Sequence, residues 1–258
     1  MSKRKEIEEK REYWVVKGND LIQKNRFELS LTEQKVVAYI CSMIKPSNIL
    51  NNGVPFQLEY EFDIREYCKV CGIITDSGKN YTEIKATLKH LRDRSMWLTL
   101  ENGSETLVGW LSKVTINQKS GIVNIKIDED LVPYLFNLKE KFTQYQLKKI
   151  LTMKSAFSVR IYEIMRSYVY QKDVTFEINK LKSLLAVENV KSYNNFKDFR
   201  RFVLEKAQYE INEYTDINIS FEPVTKGRKV VEIIFHIKNK KPLNRLIADS
   251  EIDKQLKL

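Results

Sequence analysis

Phe62-Asp63-Ile64-Arg65-Glu66-Tyr67 is echoed 114 residues later by Phe176-Glu177-Ile178-Asn179-Lys180-Leu181. Downstream, Tyr81 to Arg94 is echoed at an offset of 112 by Tyr193 to Lys206. Two nearly equal offsets over one element order indicate an internal duplication. Phe56, Leu58 and Tyr60 alternate as in a strand, Asp63 is placed to cap a short helix up to Cys71, and Gly72 ends that helix. The next helix, Tyr81 to Arg94, turns Ile84, Leu88 and Leu91 inward and Lys85, Lys89 and Arg92 outward. Leu98 and Leu100 open a hairpin with the acidic tip Glu101-Asn102-Gly103-Ser104-Glu105. A further hairpin is expected from Thr106 to Ile127, turning at Gln118-Lys119-Ser120-Gly121.

The second copy repeats the order. A helix with the inward stripe Phe157, Ile161, Ile164 and Tyr168 precedes the strand Val174, Phe176, Ile178 and a short helix Lys180 to Leu185. Lys191 to Ile211 reads as a long basic helix with Phe196, Phe199, Val203, Ala207 and Ile211 inward. Strands Ile217 to Phe221 and Val230 to Ile237 flank the tip Thr225-Lys226-Gly227-Arg228-Lys229. Before the first copy, Ser30 precedes a helix Leu31 to Met43 whose core side is Val36, Val37, Ile40 and Ile44, stopped at Lys45-Pro46 and followed by a polar loop with Asn51-Asn52-Gly53. A helical connector is expected from about Asp128 to Ile150.

At 258 residues the chain suits two domains, each large enough to bury a core. The fold expected is α+β, two tandem winged helices: an arm over 1–12, a first domain over 13–138, a second over 139–240 and a charged tail over 241–258. Formal charge is +10, and the cations cluster, which favours a polyanionic partner. No apolar run approaches a membrane span, the first twelve residues lack a signal-peptide core, and three cysteines make no disulfide framework, so a reducing cytoplasm fits.

The basic helix holds five cations (Lys191, Lys197, Arg200, Arg201, Lys206) against Asp198 and Glu205. Its beginning presents Ser192, Tyr193, Asn194 and Asn195, side chains suited to base edges or phosphate oxygens. Lys226, Gly227, Arg228 and Lys229 place three cations around a glycine that permits a tight turn, as a wing against a phosphate backbone would. In the first copy Lys79, Asn80, Lys85, Lys89 and Arg92 make a comparable basic helix, but Glu101 and Glu105 at its hairpin tip would repel phosphate. The second domain is therefore expected to read most of the bases, and the first to contact backbone, protein or both.

Other chemistries fail on residue type and spacing. Cys68-Lys69-Val70-Cys71 is half a zinc site with only the remote Cys41 and His90 to complete it, so buried thiols are the better reading and no metal or cofactor is expected. Gly72 to Asn80 is one residue too long for a phosphate loop, with Asn80 where magnesium needs Ser or Thr. A nicking initiator needs a His-x-His pair, and His90 and His236 lie 146 positions apart. No catalytic residue is expected.

Three stretches resemble one family, the initiator Rep proteins of theta-replicating, iteron-bearing plasmids (RepB-type). They are Asn19-Asp20-Leu21-Ile22 with Leu29-Ser30-Leu31-Thr32-Glu33-Gln34-Lys35; Ser155-Ala156-Phe157-Ser158-Val159-Arg160-Ile161-Tyr162-Glu163; and Phe199-Arg200-Arg201, Ala207, Glu210-Ile211-Asn212 with Lys226 to Val230. The resemblance implies two winged-helix domains that bind iterons as double-stranded DNA, open the origin without catalysis by the initiator, and recruit host initiator and helicase proteins. It also implies exchange between monomer and dimer; the Thr106–Ile127 hairpin is a possible edge for that pairing, with Val123 as its probe. The carried-over contacts are Arg200, Arg201, Lys226, Arg228 and Lys229. A winged-helix transcription regulator without an initiation role shares the fold and basic surface and stays open as the alternative.

Overall fold

Each copy opens on a strand that ends in a short helix. In the first, β2 (Glu59–Asp63) runs into α4 (Ile64–Cys71). Asp63 Oδ1 accepts from the N–H groups of Arg65 at 2.7 Å and Glu66 at 3.0 Å, so the expected cap is formed. Gly72 ends α4 at φ 68°, a left-handed position that favours glycine. This computed structural model describes residues 3–45, 56–73, 78–100, 103–136, 138 and 141–240. The expected loop at 51–53, Pro46, Glu101 with Asn102, and the tail over 241–258 lie outside them.

Before β2 come α1 (Lys3–Arg11), β1 (Trp14–Gly18), α2 (Asn19–Lys24) and α3 (Leu31–Ser42). After α4 come α5 (Lys79–Asp93), β3 (Ser95–Thr99), β4 (Glu105–Gly109), β5 (Leu111–Ile116), β6 (Ile122–Ile127), α6 (Val132–Leu135), β7 (Phe142–Gln146) and α7 (Lys148–Leu151). The second copy is α8 (Ala156–Ser167), β8 (Asp173–Glu177), α9 (Ile178–Leu184), a basic helix in three segments (Phe196–Phe199, Arg200–Glu205 and Lys206–Tyr214), β9 (Ile217–Lys226) and β10 (Lys229–Asn239).

The chain divides into two units: Met1–Leu21 with Thr32–Leu151, and Ile22–Leu31 with Thr152 onward. Their sheets share one topology, β2-β6-β5 in the first and β8-β10-β9 in the second. In both, a hairpin follows the basic helix and its second strand pairs back onto the strand before the helices. That returning hairpin is the wing. In the first unit it is β5–β6, which corrects the assignment of the acidic tip: β3 and β4 form a separate two-stranded sheet inserted between basic helix and wing. The Thr106–Ile127 span is not one hairpin either, because β4 pairs with β3. Val123 sits fully buried on the central strand β6, so a charge there would break the core instead of probing an edge.

The expected boundary at 138/139 moves to Leu151/Thr152. Its cause is β7, which pairs antiparallel with β1, Val15 opposite Tyr145. The span read as a helical connector thus contains a strand, and its alternation Thr143, Tyr145, Leu147 is buried. The arm is helical over 3–11 and is tied to the first unit. Arg11 donates from Nε to the Val70 carbonyl at 2.7 Å and from Nη2 to that of Lys69 at 3.0 Å, at the C-terminal end of α4 where carbonyls lack helical partners.

The core follows the periodicities. Val36, Val37, Ile40, Ile44, Ile84, Leu88 and Leu91 are buried in the first unit; Phe199, Val203, Ala207 and Ile211 are buried in the second. Helix α8 is buried nearly all round, so Phe157 and Tyr168, expected inside, are only half-buried at its ends. Of the Cys68–Cys71 pair expected as buried thiols, Cys68 is buried and Cys71 half-buried, and burial pushes the Cys68 thiol up, away from the reactive thiolate. Among the described residues no helix is long and apolar enough to cross a membrane.

Candidate nucleic-acid interface

The basic helix is preceded by a 3-10 turn, Lys191–Asn194, and by Asn195 as N-cap. Asn195 Oδ1 accepts from the Lys197 N–H at 3.0 Å, so half of its amide is spent on the cap and is not left for a bidentate contact with a base edge. Tyr193 is withdrawn too. Its half-buried ring makes edge contacts with Phe157 at 6.4 Å and Phe199 at 6.0 Å. Lys191, Ser192, Asn194, Lys197, Arg200, Arg201 and Lys206 are exposed, as the helical spacing requires.

The helix continues as Phe196–Phe199, a π-helical segment Arg200–Glu205, and Lys206–Tyr214. π-segments are rare and concentrate at functional positions. Here it widens the turn so that Val203 and Leu204 are both buried while Arg200, Arg201 and Phe202 are exposed. Arg200 Nε donates to Glu205 Oε1 at 2.8 Å. Its guanidinium also lies 6.0 Å from the Phe221 ring centroid on β9, so helix and wing strand meet at this side chain. The Arg201 guanidinium lies over Phe202 at 5.3 Å.

On the wing, β9 and β10 pair from Asn239↔Ile217 to Lys229↔Lys226, with a bulge between Val230 and Glu232. Both strands run further than the sequence indicated, and Gly227 at φ 61° with Arg228 makes the turn. Lys226 and Lys229 stand directly opposite each other, an arrangement that costs energy unless an anion sits between them. Among the described residues, Lys226, Arg228 and Lys229 have no carboxylate partner.

The first unit differs in its electrostatics. On α5, Lys89 donates to Asp93 at 2.7 Å and holds that carboxyl below its usual range, and Lys79 lies 3.7 Å from Glu83. That leaves Lys85 and Arg92 as exposed cations without a carboxylate partner among the described residues. Asn80 is half-buried at the helix start. The true wing tip, Asn117–Gly121, carries one cation, Lys119, in a turn where Asn117 Oδ1 accepts from the Lys119 and Ser120 N–H groups. Among the described residues, the helix and wing of the second unit thus present more exposed cations without a carboxylate partner than those of the first.

Three residues have structural roles that the sequence reading did not assign. Lys182 on α9 donates to the Tyr193 carbonyl at 2.7 Å and lies 5.5 Å from the Phe199 ring centroid. Arg160 is buried and donates from Nη2 to the carbonyls of Ile22 and Asn25, both at 2.7 Å, with its guanidinium 4.3 Å from the Phe27 centroid. Glu210 accepts from the N–H groups of Lys154 and Ser155 and so holds the backbone that leads into α8. Asn212, also from the third resembling stretch, clamps Ile219 through both its amide atoms, at 2.6 and 2.9 Å. Much of that stretch is therefore scaffold.

Comparison with known proteins agrees with this architecture. Residues 14–166 match the family described as initiator replication protein, WH1, and residues 177–237 the one described as initiator Rep protein, WH2. An Escherichia coli replication initiation protein is 24% identical over 230 residues, 86% of this chain and 69% of the relative. The E. coli PI protein is 24% identical over 236 residues, 81% of this chain and 77% of the relative. A crystal structure of the Pi initiator protein in complex with iteron DNA superposes with a TM-score of 0.70 at 20% identity, covering 90% of this chain and 99% of that one. With two winged helices in tandem and the WH1 model matched along more than half of its length, this chain belongs to the initiator replication protein family.

Proposed function

We propose that this chain starts plasmid replication by binding direct repeats, iterons, as double-stranded DNA, with the second unit as main reader. One observation supports the reading: Arg200 of the basic helix lies 6.0 Å from the Phe221 ring on β9, so the helix meets the strand that leads to the basic hairpin tip. From Phe221 to Gly227 the strand extends about 20 Å at ~3.3 Å per residue, near the width of a B-form duplex. A helix in the major groove then leaves Lys226, Arg228 and Lys229 level with the phosphates of a neighbouring groove. The base-reading edge is Lys191, Ser192, Asn194, Lys197, Arg200 and Arg201; Lys206 and the wing hold phosphate, and Gly227 only makes the turn. Lys85 and Arg92 of the first unit contribute backbone contacts.

The initiator opens its origin through binding energy and recruits host initiator and helicase proteins, without catalysing a covalent step itself, in the cytoplasm. Self-association runs through the inserted β3–β4 sheet. Trp97 and Leu107 face each other across its strands at 60% and 52% exposure, and an antiparallel pairing of one such edge with its own copy is a self-complementary two-fold contact.

Selection of duplexes from a random pool, followed by footprinting on the DNA around the coding region, tests the reading. The expected result is protection of tandem direct repeats beside an AT-rich tract that becomes permanganate-reactive. Protection of one palindrome without strand opening would instead assign a transcription regulator.

A further inference from the structure

The ammonium of Lys182 is an unusual expense for a helix packed inside a winged-helix core. The residue is only 9% exposed, and burial pulls its pKa below the usual lysine value. At the 114-residue repeat offset the first unit has Cys68, buried and apolar in character. Packing alone therefore does not require a cation at this place. What Lys182 has instead is a partner in the turn between the two helices: Nζ donates to the Tyr193 carbonyl at 2.7 Å while resting near the Phe199 ring. Tyr193 lies inside the 3-10 turn Lys191–Asn194, two residues before the Asn195 cap. Its ring is held between Phe157 and Phe199.

Main chain and ring of Tyr193 are thus both fixed from below, while its neighbours Lys191, Ser192 and Asn194 are exposed. We infer that Lys182 is a positioning residue for sequence discrimination: by pinning the Tyr193 carbonyl it sets the height at which Ser192 and Asn194 meet base edges. It touches no DNA itself. This rests on the DNA-reading role proposed above for the second unit. Base contacts depend on geometry to within a fraction of an ångström, whereas phosphate contacts tolerate displacement.

The test compares parent and Lys182→Met on two duplexes, one that the parent enriches from a random pool and a scrambled version, across a salt series. Melting curves are recorded alongside. For Lys182→Met, affinity for the enriched duplex falls about tenfold, affinity for the scrambled one stays within about twofold, and the salt slope is unchanged. Lys182→Arg, which keeps a charged donor, recovers most of the discrimination. A phosphate-contacting lysine would instead lower the slope by about one unit. That outcome, a parallel loss on both duplexes, or unchanged discrimination each overturns the inference. If Lys182→Met does not fold, the smaller Lys182→Cys, copying the first unit, carries the same comparison; failure of both to fold would make Lys182 a stability residue only. A parent that enriches no duplex would refute the DNA-reading role itself, and is thereby distinguishable.

Discussion

The Arg200 guanidinium lies 6.0 Å from the centroid of the Phe221 ring while its Nε–H binds Glu205 at 2.8 Å. A side chain of the basic helix thus rests on a strand of the wing, with one edge occupied by a carboxylate. The Nη fork remains for a ligand, and it is the fork that meets guanine or phosphate bidentately.

Glu205→Gln therefore releases Arg200 and removes a negative charge from the basic helix. Binding to unrelated duplex should tighten several-fold at low salt, and the salt slope should steepen by up to about one unit. Fluorescence anisotropy over a salt series measures both; weaker binding would show that Glu205 is needed to aim Arg200.

Arg201 has an aromatic neighbour and no carboxylate partner among the described residues. Arg201→Ala should cost about 1–3 kcal/mol on the preferred duplex and relax base preference at one position. Repeating the selection with the variant reads this out directly; an unchanged consensus would place Arg201 on backbone.

Arg160→Met leaves the carbonyls of Ile22 and Asn25 without their donor inside the second unit. A loss of about 3 kcal/mol or more in urea unfolding is expected. Glu210→Ala, which leaves the N–H groups of Lys154 and Ser155 without this acceptor, should cost about 1–3 kcal/mol without altering the salt slope. If either variant changed DNA affinity at full stability, it would belong to the interface after all.

Leu107→Lys places a charge on the exposed face of the β3–β4 sheet, where stability should change by no more than about 0.5 kcal/mol. Sedimentation should show dimers of the parent replaced by monomers. Val123→Lys, by contrast, should unfold the first unit, since Val123 is fully buried.

Much of this was legible in the chain because the duplication repeats short-range signals. Asp63 and Gly72 mark α4 by local chemistry, and Phe199, Val203, Ala207 and Ile211 mark the buried side of the second unit's basic helix by spacing. Long-range pairing was not legible. Two hairpins in series, β3–β4 and β5–β6, carry similar turn signals, and only the pairing of β6 with β2 tells which is the wing. The boundary was misplaced for the same reason, since β7 returns to a strand more than a hundred residues earlier. Lys182 and Arg160 were missed because a cation at a helical position reads as solvated surface. What holds them inside is carbonyl groups, which sequence patterns do not display.

The most direct test of the account is the salt dependence of binding for Lys226→Ala/Arg228→Ala/Lys229→Ala against the parent, on the duplex the parent selects. A wing that straddles phosphates predicts a slope lower by about two to three units, with the preference for that duplex retained through the reading helix. An unchanged slope and affinity would mean that the wing never meets the DNA.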